Sequence, residues 1–163
     1  MKILITVLLC VLLLLSGCTQ TALYEKPVEF YYCAGSYSYE TGTAAIVSET
    51  REGADMHSLE ETLRAYLAGP ESEELVSPFP AGLKLVAIRQ EGGTVFITLS
   101  KELSQLTNLS LSMACGCITM TCLGFTDAEQ VTIEAEDSLL NGQKSITMDR
   151  NSLLLADRSA EGK

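Results

Sequence analysis

The sequence has no tryptophan, a single histidine, and aromatic residues at only 6% of its 163 positions. A lone imidazole without a positioned nucleophile and an orienting partner makes no catalytic relay. His57 stands just before Ser58, at the expected start of a helix, where an exposed side chain is expected. No G-x-S-x-G motif and no phosphate-cradling glycine loop occurs. Glu71, Glu73 and Glu74 cluster after Gly69-Pro70, yet cutting a glycan needs a sugar-stacking cleft as well as two carboxylates, and tryptophan is missing to line one. They read as a solvated charge run. Basic residues are scarce too: 11 against 21 acidic ones, a formal charge of −10. Such a surface repels phosphate backbones and anionic headgroups, so no nucleic-acid partner is expected and electrostatics do not hold the chain to a membrane.

One long hydrophobic run is present at the N-terminus. After Met1-Lys2, Ile3 to Leu15 is almost wholly apolar, 13 residues where a membrane-spanning helix takes roughly 20. The length and the basic start suit a secretory signal core. Leu15-Ser16-Gly17-Cys18 then puts small residues before a cysteine, the pattern cut by a lipoprotein signal peptidase. The expectation is a signal peptide at 1–17, lipidation of Cys18 by a diacylglycerol, and a location on the outer face of the cell membrane. Two acyl chains hold durably where one does not. Removing Lys2 with the leader leaves 10 basic residues and a charge of −11. Residues 18–27 form a short polar tether ending at Pro27, residues 28–150 the folded module, and 151–163 a polar tail.

Within the module the periodicity changes from strand to helix and back. Val28 onward, with Phe30, Tyr31 and Tyr32, suits a pleated half-buried surface. Gly35 to Gly42 reads as a loop, and Ala44 to Thr50 as a second, antiparallel strand. Ser58 and Glu61 make an S-x-x-E capping box, followed by Leu59, Leu63, Tyr66 and Leu67 on one stripe and by Gly69-Pro70 as a stop. Pro78 to Gly82 is a stiff connector. Leu83 to Gln90, with Leu83, Leu85 and Ala87 on one side, and Thr94 to Leu99, with Val95, Ile97 and Leu99 inward, form a hairpin around Gly92-Gly93. Ser110 to Phe125 reads as a second helix with Leu111, Ala114, Ile118 and Leu123 on its buried side, although Gly116 and its Ser and Thr content make it a weak helix former. Val131 to Ala135 and Ser145 to Met148 are further strands, the latter an edge after the Asn141-Gly142 turn. This order predicts an α+β fold: a small mixed sheet of about five strands with two helices packed on one face.

Four cysteines remain once Cys10 leaves and Cys18 is lipidated: Cys33, Cys115, Cys117 and Cys122. Their spacing matches no common zinc knuckle and the only histidine is distant in sequence, so no metal is expected. On a helix, Cys115 and Cys122 share a face while Cys117 points elsewhere. Buried thiols, or a disulfide from Cys33 to one of the other three, are the readings the residues leave open. A Cys115–Cys117 bridge is strained at two residues' separation. Phe30 and Tyr32 are expected in the core, Tyr31 and Phe79 as anchors for a partner.

Several segments together carry a family resemblance: Tyr66-Leu67-Ala68-Gly69-Pro70, then Ser77 to Leu85 (SPFPAGLKL), then Phe96-Ile97-Thr98-Leu99-Ser100, then Thr121-Cys122-Leu123-Gly124-Phe125. In this order, behind a lipobox, the chain resembles the GerMN domain of sporulation and spore-germination lipoproteins over about Val28 to Glu136. It departs where the family commonly has Pro-Gly-Val, with Asp127-Ala128-Glu129-Gln130-Val131 instead, and where Asp137 replaces a glycine after the last family strand. The resemblance implies no enzymatic activity and no cofactor. It implies similarity to ring-building modules, hence a binding or assembly role toward an envelope protein or cell-wall component, with oligomerisation open, and with a cell-wall hydrolase accessory or weak hydrolase as the alternative.

Overall fold

The computed structural model describes residues 27–35, 45–52 and 58–152. The leader, Cys18, most of the tether, most of the Gly35–Gly42 loop, His57 and most of the C-terminal tail lie outside these residues.

The module is α+β. Strands β1 (Val28–Ala34), β2 (Ile46–Arg51) and the two-residue β3 (Leu75–Val76) form an antiparallel sheet in the order β2-β1-β3. Strands β4 (Leu85–Glu91), β5 (Thr94–Leu99), β6 (Gln130–Ala135) and β7 (Ser145–Asp149) form a second sheet in that order, antiparallel except for the parallel β5–β6 pair. Helix α1 (Leu59–Leu67) lies between β2 and β3 in the chain. A 3-10 turn (Lys101–Gln105) and helix α2 (Asn108–Phe125) make the crossover that a parallel pair requires. β3 and the 3-10 turn had no sequence signal strong enough to be expected.

The strands thus divide between two sheets where a single one was expected, and α2 is the reason. Tyr31 turns its backbone N–H and C=O away from β2, toward the β1 edge that β3 covers only at Cys33 and Ala34. There its N–H donates to Thr121 Oγ1 on α2 at 3.0 Å, and its carbonyl accepts from Tyr66 Oη on α1 at 2.7 Å. Both backbone groups are satisfied by side chains, so the ladder stops and no further strand adds. The helix seals the edge.

Position in the crossover also explains α2 itself. It packs against β1 on one side and against β6 and β7 on the other. Every residue from Ala114 to Leu123 is buried, not only the stripe predicted from Leu111, Ala114, Ile118 and Leu123. Its 18 residues and mean hydropathy of 1.4 would suffice to cross a membrane by length and composition, and burial inside the fold accounts for that apolarity. Burial also supplies what weak helix propensity withholds. Arg150 Nη2 donates to the carbonyl of Leu123 at 2.6 Å, a cation at the negative end of the helix.

The expected start of α1, the hairpin turn, the inward row of β5 and the edge position of β7 stand, with one correction on β4. Ser58 Oγ accepts from the Glu61 N–H at 3.1 Å, and Gly92 and Gly93 take φ of 56° and 75° in the hairpin turn. Val95, Ile97 and Leu99 are 0%, 1% and 0% exposed, and β7 is an edge. On β4, however, the expected row Leu83, Leu85, Ala87 does not hold. A bulge between Leu85 and Ala87 shifts the alternation by one residue, so Leu85 is buried, Ala87 is exposed and Ile88 packs on the core.

Candidate functional site

The expected contact residues lie around a cluster of aromatic rings. Tyr66 is fully buried between Phe30 (ring centroids 5.3 Å apart), Tyr32 (5.0 Å) and Phe79 (5.2 Å, edge-on). Phe30 and Tyr32 are core residues, as their place in the alternation suggested. Phe79 rests one edge on Tyr66 and is partly buried. Tyr31 is half-buried, with its hydroxyl donating to Glu29 Oε2 at 3.0 Å. Partial burial and then the Glu29 carboxylate push its phenol above the ordinary tyrosine value. Tyr31 and Phe79 are each only partly buried.

An ion-pair hub that sequence reasoning missed ties α1 to β2. Arg51 and Glu49, two residues apart and therefore on one face of β2, pair with side chains only 12% exposed. The Arg51 guanidinium also donates to the carbonyls of Gly69 at 2.6 Å and Ala65 at 3.4 Å, at the C-terminal end of α1, and lies 4.8 Å from the Phe30 ring centroid. Glu49 accepts the backbone N–H groups of Glu71 (3.1 Å) and Ser72 (3.1 Å). Burial raises the Glu49 carboxyl, but these donors and the Arg51 guanidinium outweigh it, and the carboxyl sits below its ordinary range. The only sequence clue was the i, i+2 spacing of opposite charges on a strand. The hub is structural: it holds backbone groups at the end of α1 and in the turn after it.

The acidic residues Glu71, Glu73 and Glu74 are exposed on the turn that follows, with Glu71 Oε1 3.5 Å from Arg51. Among the described residues, no group of three or more His, Cys, Asp or Glu side chains is placed to hold a metal ion.

Among the described residues, a cavity lies where the end of β1 meets the start of α2. It encloses about 490 Å³ and is lined by Cys33, Ala34, Ala45, Pro78, Leu109, Ser110 and Met113. Beside it, Leu109 is 67% exposed, and Val76, which pairs with Cys33, is 52% exposed. The pocket is apolar apart from the Ser110 hydroxyl and the Cys33 thiol. Because it joins residues about 80 positions apart, no local pattern could announce it.

All four described cysteines are free thiols, Cys115, Cys117 and Cys122 buried in α2 and Cys33 half-buried on β1. Burial pushes Cys115 and Cys122 up to about 12. Cys117, which points away from those two, meets Cys33 in a side-chain hydrogen bond. That bond pulls Cys33 down to about 7 against the effect of its own burial, and holds Cys117 well above an ordinary thiol.

Two small sheets around one buried crossover helix, with an apolar pocket at the end of β1, define an α+β module built on packing. A family profile described as Germane, sporulation and spore germination, matches residues 30–141, and the chain belongs to that family. The fold is similar to that of the tandem GerMN domains of the sporulation protein GerM from Bacillus subtilis, with a TM-score of 0.58 and 16% identity over 84% of this chain. The chain spans half the length of that tandem. A Clostridium perfringens crystal structure assigned as a lipoprotein matches at a TM-score of 0.43 and 18% identity, over 80% of this chain and 94% of the other. No curated protein sequence matches.

Proposed function

We propose that this chain is a lipid-anchored, non-enzymatic binding or assembly module at the outer face of the cytoplasmic membrane, serving sporulation, germination or cell-wall assembly. The family match over residues 30–141 carries the sporulation or germination part of the reading, and the apolar run ending in Leu15-Ser16-Gly17-Cys18 supports the anchor. The pocket of the described residues presents apolar surface with one hydroxyl and one thiol, a lining suited to binding. An envelope protein or a cell-wall component is the partner class, met through exposed apolar surface near the membrane, with Tyr31 and Phe79 as contacts.

Mass spectrometry of the membrane fraction tests the anchor. A mature chain beginning at a diacylated Cys18 is expected, and Cys18→Ala leaves the leader uncleaved. A full-length, unacylated chain would overturn the reading. Crosslinked recovery of the partner should fall in Tyr31→Ala and in Phe79→Ala, with thermal melts recorded beside them because Phe79 also packs on Tyr66. The alternative, a hydrolase accessory or weak hydrolase, predicts soluble products from wall fragments that disappear when Glu71, Glu73 or Glu74 becomes Gln. Unchanged fragments are expected.

A further inference from the structure

We infer that Cys33 and Cys117 form a reactive dithiol, an oxidisable site in which Cys33 exchanges with a disulfide reaching the apolar pocket and Cys117 resolves the product into an intramolecular Cys33–Cys117 bond. Three observations converge. The two residues are neighbours across the β1–α2 contact: Thr121, one helical turn after Cys117, takes the Tyr31 N–H two residues before Cys33, and Cys33 shares its cavity with Met113, one turn before Cys117. Only Cys33 lines the cavity of about 490 Å³ that opens to solvent, so a disulfide can approach its sulfur and not that of Cys117. Cys115 and Cys122 are 0% exposed and share no such cavity, which leaves them out of the exchange.

The hydrogen bond divides the labour. Donation from the Cys117 S–H stabilises the Cys33 thiolate, and Cys33 near 7 is partly ionised at neutral pH, while Cys117 keeps its proton. In the first step the Cys33 thiolate attacks one sulfur of an external disulfide, whether of a low-molecular-weight thiol or of an exported thiol–disulfide oxidoreductase. A Cys33–S–S–R bond forms, the R–S–S–R bond breaks, and one RS⁻ leaves. In the second step the Cys117 thiol gives up its proton and attacks Cys33 Sγ. The Cys33–Cys117 bond forms and the second RS⁻ departs. Two thiols lose two electrons and two protons, and the external disulfide is reduced to two thiols. A poised thiolate beside a buried resolving partner is the arrangement that favours this sequence over a lasting mixed disulfide.

Closure ties the open edge of β1 covalently to α2, next to the contact where Thr121 Oγ1 already holds the Tyr31 N–H. That the bond forms in the cell rests on the exported reading above, since disulfides persist in oxidising compartments. The chemistry does not.

The test uses the full chain, solubilised in detergent and reduced, then exposed to oxidised glutathione. Non-reducing peptide mapping should find one peptide pair, joined Cys33 to Cys117, with Cys115 and Cys122 alkylated only after denaturation. The rate of Cys33 alkylation should be half-maximal near pH 7 in the reduced protein. In Cys117→Ala the midpoint should rise toward the ordinary thiol value of roughly 8.5, and glutathione should stay on Cys33. A lasting glutathione adduct on wild-type Cys33, a link to Cys115 or Cys122, or an ordinary alkylation profile would overturn the proposal. These wild-type measurements decide the matter even if the variant does not fold. Thiol trapping in intact cells then asks about compartment alone: free thiols in cells, with the linked peptide formed in vitro, count against export and not against the dithiol.

Discussion

Replacing Arg51 by Met tests the hub that joins β2 to α1. An exposed ion pair contributes about 0–1 kcal/mol, whereas removing one partner of a buried pair costs about 3–5. With side chains 12% exposed, Arg51 and Glu49 stand near the buried end. Losing Arg51 also leaves the carbonyls of Gly69 and Ala65 without that donor and removes the cation over Phe30. Water reaches part of the vacated site, so a loss of about 3 kcal/mol at pH 7 is expected. For a fold of roughly 120 residues this lowers Tm by about 12 °C. The pH dependence has a definite sign. Glu49 is held below its ordinary value of 4.5, so its contribution is fully present above that pH and is lost as pH falls through the lower folded value. Much of the Arg51 contribution is made to an ionised Glu49. The gap between wild type and Arg51→Met should therefore be widest above about pH 5 and narrow as pH drops below 4.5. Urea unfolding at pH 7 and pH 3.5 measures both quantities. In a double-mutant cycle with Glu49→Gln, the combined loss should be smaller than the two single losses together by about 1 kcal/mol or more. A loss under about 1 kcal/mol, a gap that ignores pH, or strict additivity would refute the reasoning.

Two further substitutions follow from particular atoms. Asp137 occupies a left-handed conformation, φ 50°, where the sequence comparison expected a family glycine. Asp137→Gly should be neutral to stabilising, by up to about 1 kcal/mol, because relief of the left-handed strain outweighs the entropy glycine adds to the unfolded chain; a melting curve shifted down by several degrees would count against it. Thr119 Oγ1, buried in α2, has no hydrogen-bond partner. Thr119→Val keeps the shape and removes a desolvated hydroxyl, so denaturant unfolding should show a gain of about 1 kcal/mol, and a clear loss would show that the hydroxyl is engaged.

Local sequence determined the elements. The Ser58 cap, the Gly69-Pro70 stop, the Gly92-Gly93 turn and the alternation of Val95, Ile97 and Leu99 each rest on neighbours within a few residues, and each reappears in the structure. The α+β class follows from their order, and the family from four segments that keep that order. Tertiary structure decided what those signals do not encode. One face of α2 was legible; that its whole middle is buried depends on β1, β6 and β7 closing around it. The division into two sheets depends on Thr121 and Tyr66 taking the Tyr31 backbone groups, partners 90 and 35 residues away. The bulge at Leu85 moved a single register step and so exchanged Ala87 for Ile88 on the core face. The meeting of Cys33 with Cys117, the apolar pocket beside them and the capping of α1 by Arg51 all join distant stretches of chain. Periodicity reports which face a residue occupies, whereas the partner on that face is chosen only when separate elements pack.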